Sequence, residues 1–185
     1  GANDQPYIYA NDDFMYITPG FVISRGRPFT YIIVNKPSSK FAAYGYPLET
    51  QGTRGHAAFF WDGNKYYMYH NQGGAQASGM SGVSGMNLTD NAVTVRRENP
   101  TGEGQGDGAG TNTTIHIQGN ASGSNANTQD DDLTFGFMFR ASASFNSVGR
   151  LYETLAFDSF LSNTDLNAIG AYLNSKYGVS WTDFS

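Results

Sequence analysis

Short runs in which aromatic and β-branched residues alternate with polar ones, each closed by Gly, Asn or Asp, recur along this chain, and a period of two restricts it to β-structure. The clearest unit is His56-Ala-Ala-Phe-Phe-Trp61 and Lys65-Tyr-Tyr-Met-Tyr-His70 on either side of Asp62-Gly63-Asn64. Asp-Gly accepts the positive φ angles of a tight turn, so this segment is expected to be a β-hairpin. Phe59 and Trp61 then share one face of the first strand, and Tyr67 and Tyr69 share one face of the second.

Other strands follow from the same signal. Phe29-Thr-Tyr-Ile-Ile-Val34 is compact and apolar throughout, as in a strand buried on both faces, and Asn35-Lys-Pro37 ends it. Tyr7-Ile-Tyr9 and Asp13-Phe-Met-Tyr-Ile17 are short strands, the second expected to stop at Pro19-Gly20. Asn91 to Arg97, Thr113 to Gln118, Leu133 to Phe139 and Arg150 to Phe157 complete the set. Within Thr113 to Gln118, Ile115 and Ile117 are expected inward, and Thr114, His116 and Gln118 outward. The Gly-, Ser- and Asn-rich stretches at 71–85, 100–112 and 119–132 are expected to be long loops. About eight or nine strands joined this way suit a closed or double-sheet antiparallel architecture.

One helix is expected, at about 162–177. Ser162-Asn-Thr-Asp165 is a capping signal, and Leu166, Ile169, Tyr172, Leu173 and Tyr177 form one apolar face. Gly178 supplies the stop.

Composition narrows the function classes. Only 15% of residues are charged, too few for a coiled coil or for disorder driven by charge. A net charge of −5 disfavours nucleic acid and anionic membrane surfaces as partners. No apolar run approaches the roughly 20 residues of a spanning helix. Cysteine is absent, which removes disulfides and thiolate chemistry. The opening Gly-Ala-Asn reads as a trimmed or processed end. Sequons at Asn87, Asn112 and Asn120 are the kind that arise by chance in an Asn- and Thr-rich chain.

The last forty or so residues carry a family resemblance. Gly149-Arg-Leu-Tyr-Glu-Thr-Leu-Ala-Phe-Asp158, then Phe160-Leu-Ser, then Tyr172-Leu-Asn-Ser-Lys-Tyr-Gly178 resembles the close of bacterial and phage laminin-G-like jelly-roll domains. The stretch from Tyr9 to Val34 is similar to that family's early strands. The resemblance implies one domain over residues 1–185, an antiparallel two-sheet β-sandwich of concanavalin A-like type with a short C-terminal helix. It implies function only loosely, because this scaffold hosts lectins, hydrolases, lyases and adhesion modules.

The chemistry can then be weighed against that scaffold. Hydrolases of this fold usually take their carboxylates from one strand, in a Glu-x-Asp-x-Glu pattern or one close to it. None of Glu49, Glu98, Glu103 and Glu153 begins such a pattern. A polysaccharide lyase is the stronger enzymatic rival: that chemistry needs a charge neutraliser and a Tyr or His as base and acid, and Arg96, His116 and several Tyr are of the right types. Yet Gln118 follows His116, whereas the lyases of this fold place Gln before His. His56, His70 and His116 lack zinc-ligand spacing. Asp107, Asp130 and Asp132 are hard oxygen ligands in loops, suited in type to Ca2+. The hairpin is the most suggestive feature. Trp61, Tyr67 and Tyr69 offer faces on which sugar rings stack, and Asp62, Asn64, His70 and His116 offer groups for sugar hydroxyls. At least half of the hairpin aromatics are nonetheless expected in the core.

The leading expectation is a non-enzymatic binding or adhesion module, extracellular, on a cell surface or on a virion, with a glycan as ligand. A structural virion or surface domain that contacts other protein subunits is the alternative. A polysaccharide lyase or hydrolase comes third. No cofactor is required by the leading reading, and Ca2+ is an optional addition to it.

Overall fold

The computed structural model describes residues 5–11, 15–23, 27–37, 45–50, 57–61, 65–69, 71–72, 75–76, 80–84, 92–98, 113–117, 120–125, 133–138, 140–142, 145–146 and 148–185. Strands β1 (Ile8–Asn11), β2 (Met15–Ile23), β3 (Phe29–Pro37) and β4 (Gly45–Thr50) precede the hairpin of β5 (Ala57–Trp61) and β6 (Lys65–Tyr69). Next come β7 (Asn71–Gln72), β8 (Ala75–Gln76), β9 (Met80–Ser84), β10 (Ala92–Glu98), β11 (Thr113–Ile117) and β12 (Asn120–Asn125). The chain continues through β13 (Leu133–Met138), β14 (Arg140–Ser142), β15 (Phe145–Asn146) and β16 (Val148–Phe157) to helix α1 (Asn163–Tyr177).

These strands form two six-stranded antiparallel sheets, ordered β1-β16-β3-β10-β11-β12 and β2-β13-β4-β5-β6-β9, and two small two-stranded ribbons. Edge strand β9 of the second sheet approaches β11 and β12 of the first. The protein is therefore mostly β with one helix, and the double-sheet expectation holds at that level.

Strand β3 is central to the first sheet, and its alternation separates two buried faces. Ile32 and Val34 join Val93 and Val95 of β10 and Leu166, Leu173 and Tyr177 of α1 in one cluster. Phe29, Tyr31 and Ile33, on the other face, are also fully buried. The run that reads as buried on both faces is so. Burying Leu166 and Leu173 completely stabilises the helix docking by about 2–3 kcal/mol each.

Helix α1 begins and ends where its sequence signals lie. Ser162 Oγ accepts from the Asp165 backbone N–H at 3.1 Å. Gly178 takes the left-handed conformation at φ 63° and donates its N–H to the Asn174 carbonyl at 2.8 Å. Tyr172, expected on the buried face, is instead 45% exposed, because its hydroxyl reaches the Glu153 carboxylate at 3.1 Å on β16. After Gly178 the chain doubles back beside the helix. The Asn167 side chain donates to the Phe184 carbonyl at 3.1 Å and accepts from the Phe184 N–H at 2.7 Å, and Asn163 donates to the Ser185 carbonyl at 2.8 Å. Gly170 lets this return segment lie close, since a Cβ there would overlap the Trp181 indole.

Three expectations change. Pro19-Gly20 does not stop β2; the register with β13 jumps from Phe135–Phe21 to Phe137–Tyr16, so the pair lies within an irregularity that spares Pro a ladder bond. The stretch 71–85 holds β7, β8 and β9, and 119–132 holds β12, which pairs with β11. Their Gly, Ser and Asn carry no strand signal of their own, and pairing with a neighbour supplies what propensity does not. Strand β4 had no clear local signal either. The stretch 100–112 lies outside the described residues.

Candidate functional site

The hairpin register sets Ala57 opposite Tyr69, Phe59 opposite Tyr67, and Trp61 opposite Lys65. Positions facing each other across an antiparallel pair share a face, so 57, 59, 61, 65, 67 and 69 fall on one side of the second sheet. The positions of Trp61, Tyr67 and Tyr69 are thus brought together by the ladder of one hairpin. Asp62, Asn64 and His70 lie outside the described residues, as do Asp107, Asp130 and Asp132. Among the described residues no group of three or more His, Cys, Asp or Glu is placed to hold a metal ion.

His116 is placed elsewhere. It stands on β11 in the first sheet, opposite Val95, and is only 7% exposed, which corrects the expectation of an outward, solvated histidine. Thr114 and His116 do share a face, but the C-terminal segment roofs it. The Phe184 ring lies 4.3 Å from the His116 imidazole, centroid to centroid. Beside it Arg97, 2% exposed, donates to the Asn163 side-chain oxygen at 2.8 Å and the Leu161 carbonyl at 3.2 Å, and its Nη2 is 3.5 Å from His116 Nε2. The guanidinium also sits over the Phe160 and Phe184 rings, at 4.7 and 5.1 Å. Thr30 completes the seam, donating to the Ser159 carbonyl at 2.8 Å and accepting from the Leu161 N–H at 3.0 Å. These groups tie the chain between β16 and α1 to the sheet. A base beneath a phenylalanine ring is badly placed to reach a polysaccharide, so the lyase role for His116 loses its geometry.

A second cluster, missed in the sequence reading, occupies the opposite end of the same sheet face. On β1, Tyr9 stands opposite Arg150. Arg150 lies over the Tyr7 ring at 4.4 Å, and Tyr7 meets Tyr152 edge to face at 5.8 Å. A bulge between Leu151 and Glu153, in the pairing with β3, turns both Tyr152 and Glu153 toward the helix. Tyr152 packs on Tyr177 at 5.6 Å, and Lys176 reaches Glu153 at 3.2 Å and the Tyr172 hydroxyl at 2.6 Å. The Tyr172 hydroxyl, then Tyr177, then Glu153 hold the Lys176 pKa above the ordinary lysine value, and burial raises that of Tyr177. The available signal was Tyr7-x-Tyr9 facing Arg150-x-Tyr152. Neither the pairing of the two segments nor the bulge can be read locally.

Comparison with known proteins supports the architecture. No protein-family model matches the chain, and no curated protein matches it in sequence. Solved structures do match in shape. A native heptameric SAP-like pentraxin from Limulus polyphemus superposes with a TM-score of 0.61 at 11% identity, over 93% of this chain and 88% of that one. The CBM40 of the Ruminococcus gnavus IT-sialidase, bound to α2,3-sialyllactose, gives 0.56 at 11% identity, over 85% and 96%. Trypanosoma rangeli sialidase gives 0.59 at 10% identity over 85% of this chain, which spans only 24% of the enzyme. At such identities the likeness is one of fold, that of the jelly-roll pentraxin and of the lectin-like CBM40.

Proposed function

We propose that this chain is a single non-catalytic glycan-recognition module, a concanavalin A-like two-sheet sandwich displayed on a cell surface or a virion. The observation that carries this reading is the extent of the structural match. The chain aligns with nearly the whole of a sugar-binding CBM40 but with only a quarter of a sialidase. Trp61, Tyr67 and Tyr69 are the proposed stacking platform, and Asp62, Asn64 and His70 are the proposed hydroxyl partners. Calcium held by Asp107, Asp130 and Asp132 is part of the same proposal. His116 is proposed to act only through the packing of its neighbours.

A glycan array of the purified chain, run with calcium and again with chelator, tests this reading. Saturable binding, lost in Trp61→Ala while circular dichroism stays unchanged, supports the module and its platform. Loss on chelation supports the metal. A blank array sinks the reading. A second reading, a subunit of a surface or virion assembly, draws support from the heptameric pentraxin that shares the fold. It is tested by sedimentation: a concentration-independent monomer rejects self-assembly.

A further inference from the structure

The corner formed by β1, β16 and the end of α1 holds groups that the fold does not use up. Tyr7, Ile8 and Tyr9 are 47%, 40% and 54% exposed, three large apolar side chains in succession where the chain enters edge strand β1. Exposing such a row costs solubility and invites unwanted pairing, and exposed apolar rows of this kind mark interaction sites. Tyr7 and Tyr9 alternate, so both fall on the helix side of the sheet with Arg150 and Tyr152. The two cations of this corner differ. Lys176 is compensated by Glu153 at 3.2 Å. Among the described residues no carboxylate pairs with Arg150, although the chain as a whole is acidic, at −5.

Arg150 is also held in a defined pose. Its guanidinium carbon lies 4.4 Å from the Tyr7 ring centroid, and the ring covers one face of the plane. The Tyr152 hydroxyl, buried beside the guanidinium, is the first of the groups that favour its charge. A guanidinium stacked on one face keeps its in-plane N–H fork for a carboxylate, and a fork held in place loses less entropy on binding. Tyr9, directly across the strand pair, adds an exposed ring beside that fork.

We propose that Arg150, Tyr7 and Tyr9 form a binding site, separate from the hairpin, for a sugar that carries a carboxylate. Arg150 takes the acid group, and Tyr9 takes the apolar face of the ring. The class of ligand rests on the glycan-recognition reading; the place does not.

Calorimetric titration of the full chain with α2,3-sialyllactose, glucuronate and lactose is the test. At least one of the two acids is expected to bind at least tenfold more tightly than lactose, and which one does separates a sialic from a uronic acid. Arg150→Gln is expected to lower that affinity at least tenfold, Arg150→Lys to fall between, and Tyr9→Ala to cost severalfold. Lactose equal to both acids, neither acid binding, or Arg150→Gln without effect on a folded protein overturns the site. So does a dimer in solution that Tyr9→Ala dissolves, since the corner is then a contact between copies. Neutral glycans bound at the hairpin with no acid bound at Arg150 leave the module reading standing and remove this one alone.

Discussion

Arg97 and Arg150 stand on the same face of one sheet, each over an aromatic ring, and the chain treats them in opposite ways. Arg97 is sealed under the segment from Phe160 to Asn163 and under Phe184, with a backbone carbonyl and a side-chain amide as acceptors. Arg150 is only half-buried, over Tyr7 at an outer strand of the sheet, and among the described residues nothing anionic faces it. The chemistry of the two groups is similar; what differs is whether the polypeptide passes over them. Covered, an arginine among rings joins a tail to a sheet. Left open, it offers the same donors to something else.

Substituting each arginine in turn separates the two ends of the face most clearly. Arg97→Ala is expected to destabilise the fold by about 3–4 kcal/mol in urea unfolding, since it leaves a cavity and buried acceptors without their donor. Arg150→Gln is expected to stay within about 0.5 kcal/mol, as substitutions at a partly open surface do. Equal costs would mean that both ends of the face are structural.

Smaller effects sharpen the account of the covered end. Gly170→Ala should cost about 2 kcal/mol despite alanine's better helix propensity, because Trp181 must be displaced. Ser162→Ala should cost about 1 kcal/mol by removing the helix cap. A melting series across pH probes the open end. Tyr177 and Lys176 both have folded pKa values above the ordinary 10.0 and 10.5, the first through burial and the second through the Tyr172 hydroxyl. The folded state therefore holds these protons more tightly than the unfolded chain. Their contribution is complete below pH 10 and is lost as pH rises beyond it. A modest drop in melting temperature as pH rises above 10, reduced in Lys176→Met, is expected. A flat profile would show that these groups do not help to dock the helix.

Legibility in the sequence followed the range of the interaction. The cap at Ser162, the stop at Gly178, the hairpin around Asp62-Gly63 and the doubly buried β3 were all readable, because each depends on residues a few places apart. Strands β7, β8, β9 and β12 were not, since nothing in Asn120-Ala-Ser-Gly-Ser-Asn125 favours a strand until β11 lies beside it. Of the candidate site, the clustering of Trp61, Tyr67 and Tyr69 was legible from the hairpin, while their joint placement on one side needed the register.

Local signals along the chain set the class of structure, mostly antiparallel β with one capped C-terminal helix, and the identity of the aromatic hairpin. Only the tertiary structure decided that His116 and Arg97 are buried, that Tyr172 is exposed, and that Tyr7 and Tyr9 meet Arg150. Alternation tells which residues share a face but not what covers it. The cover here comes from the C-terminal segment some seventy residues beyond His116, and the open corner from pairing β1 with β16, about 140 residues apart along the chain.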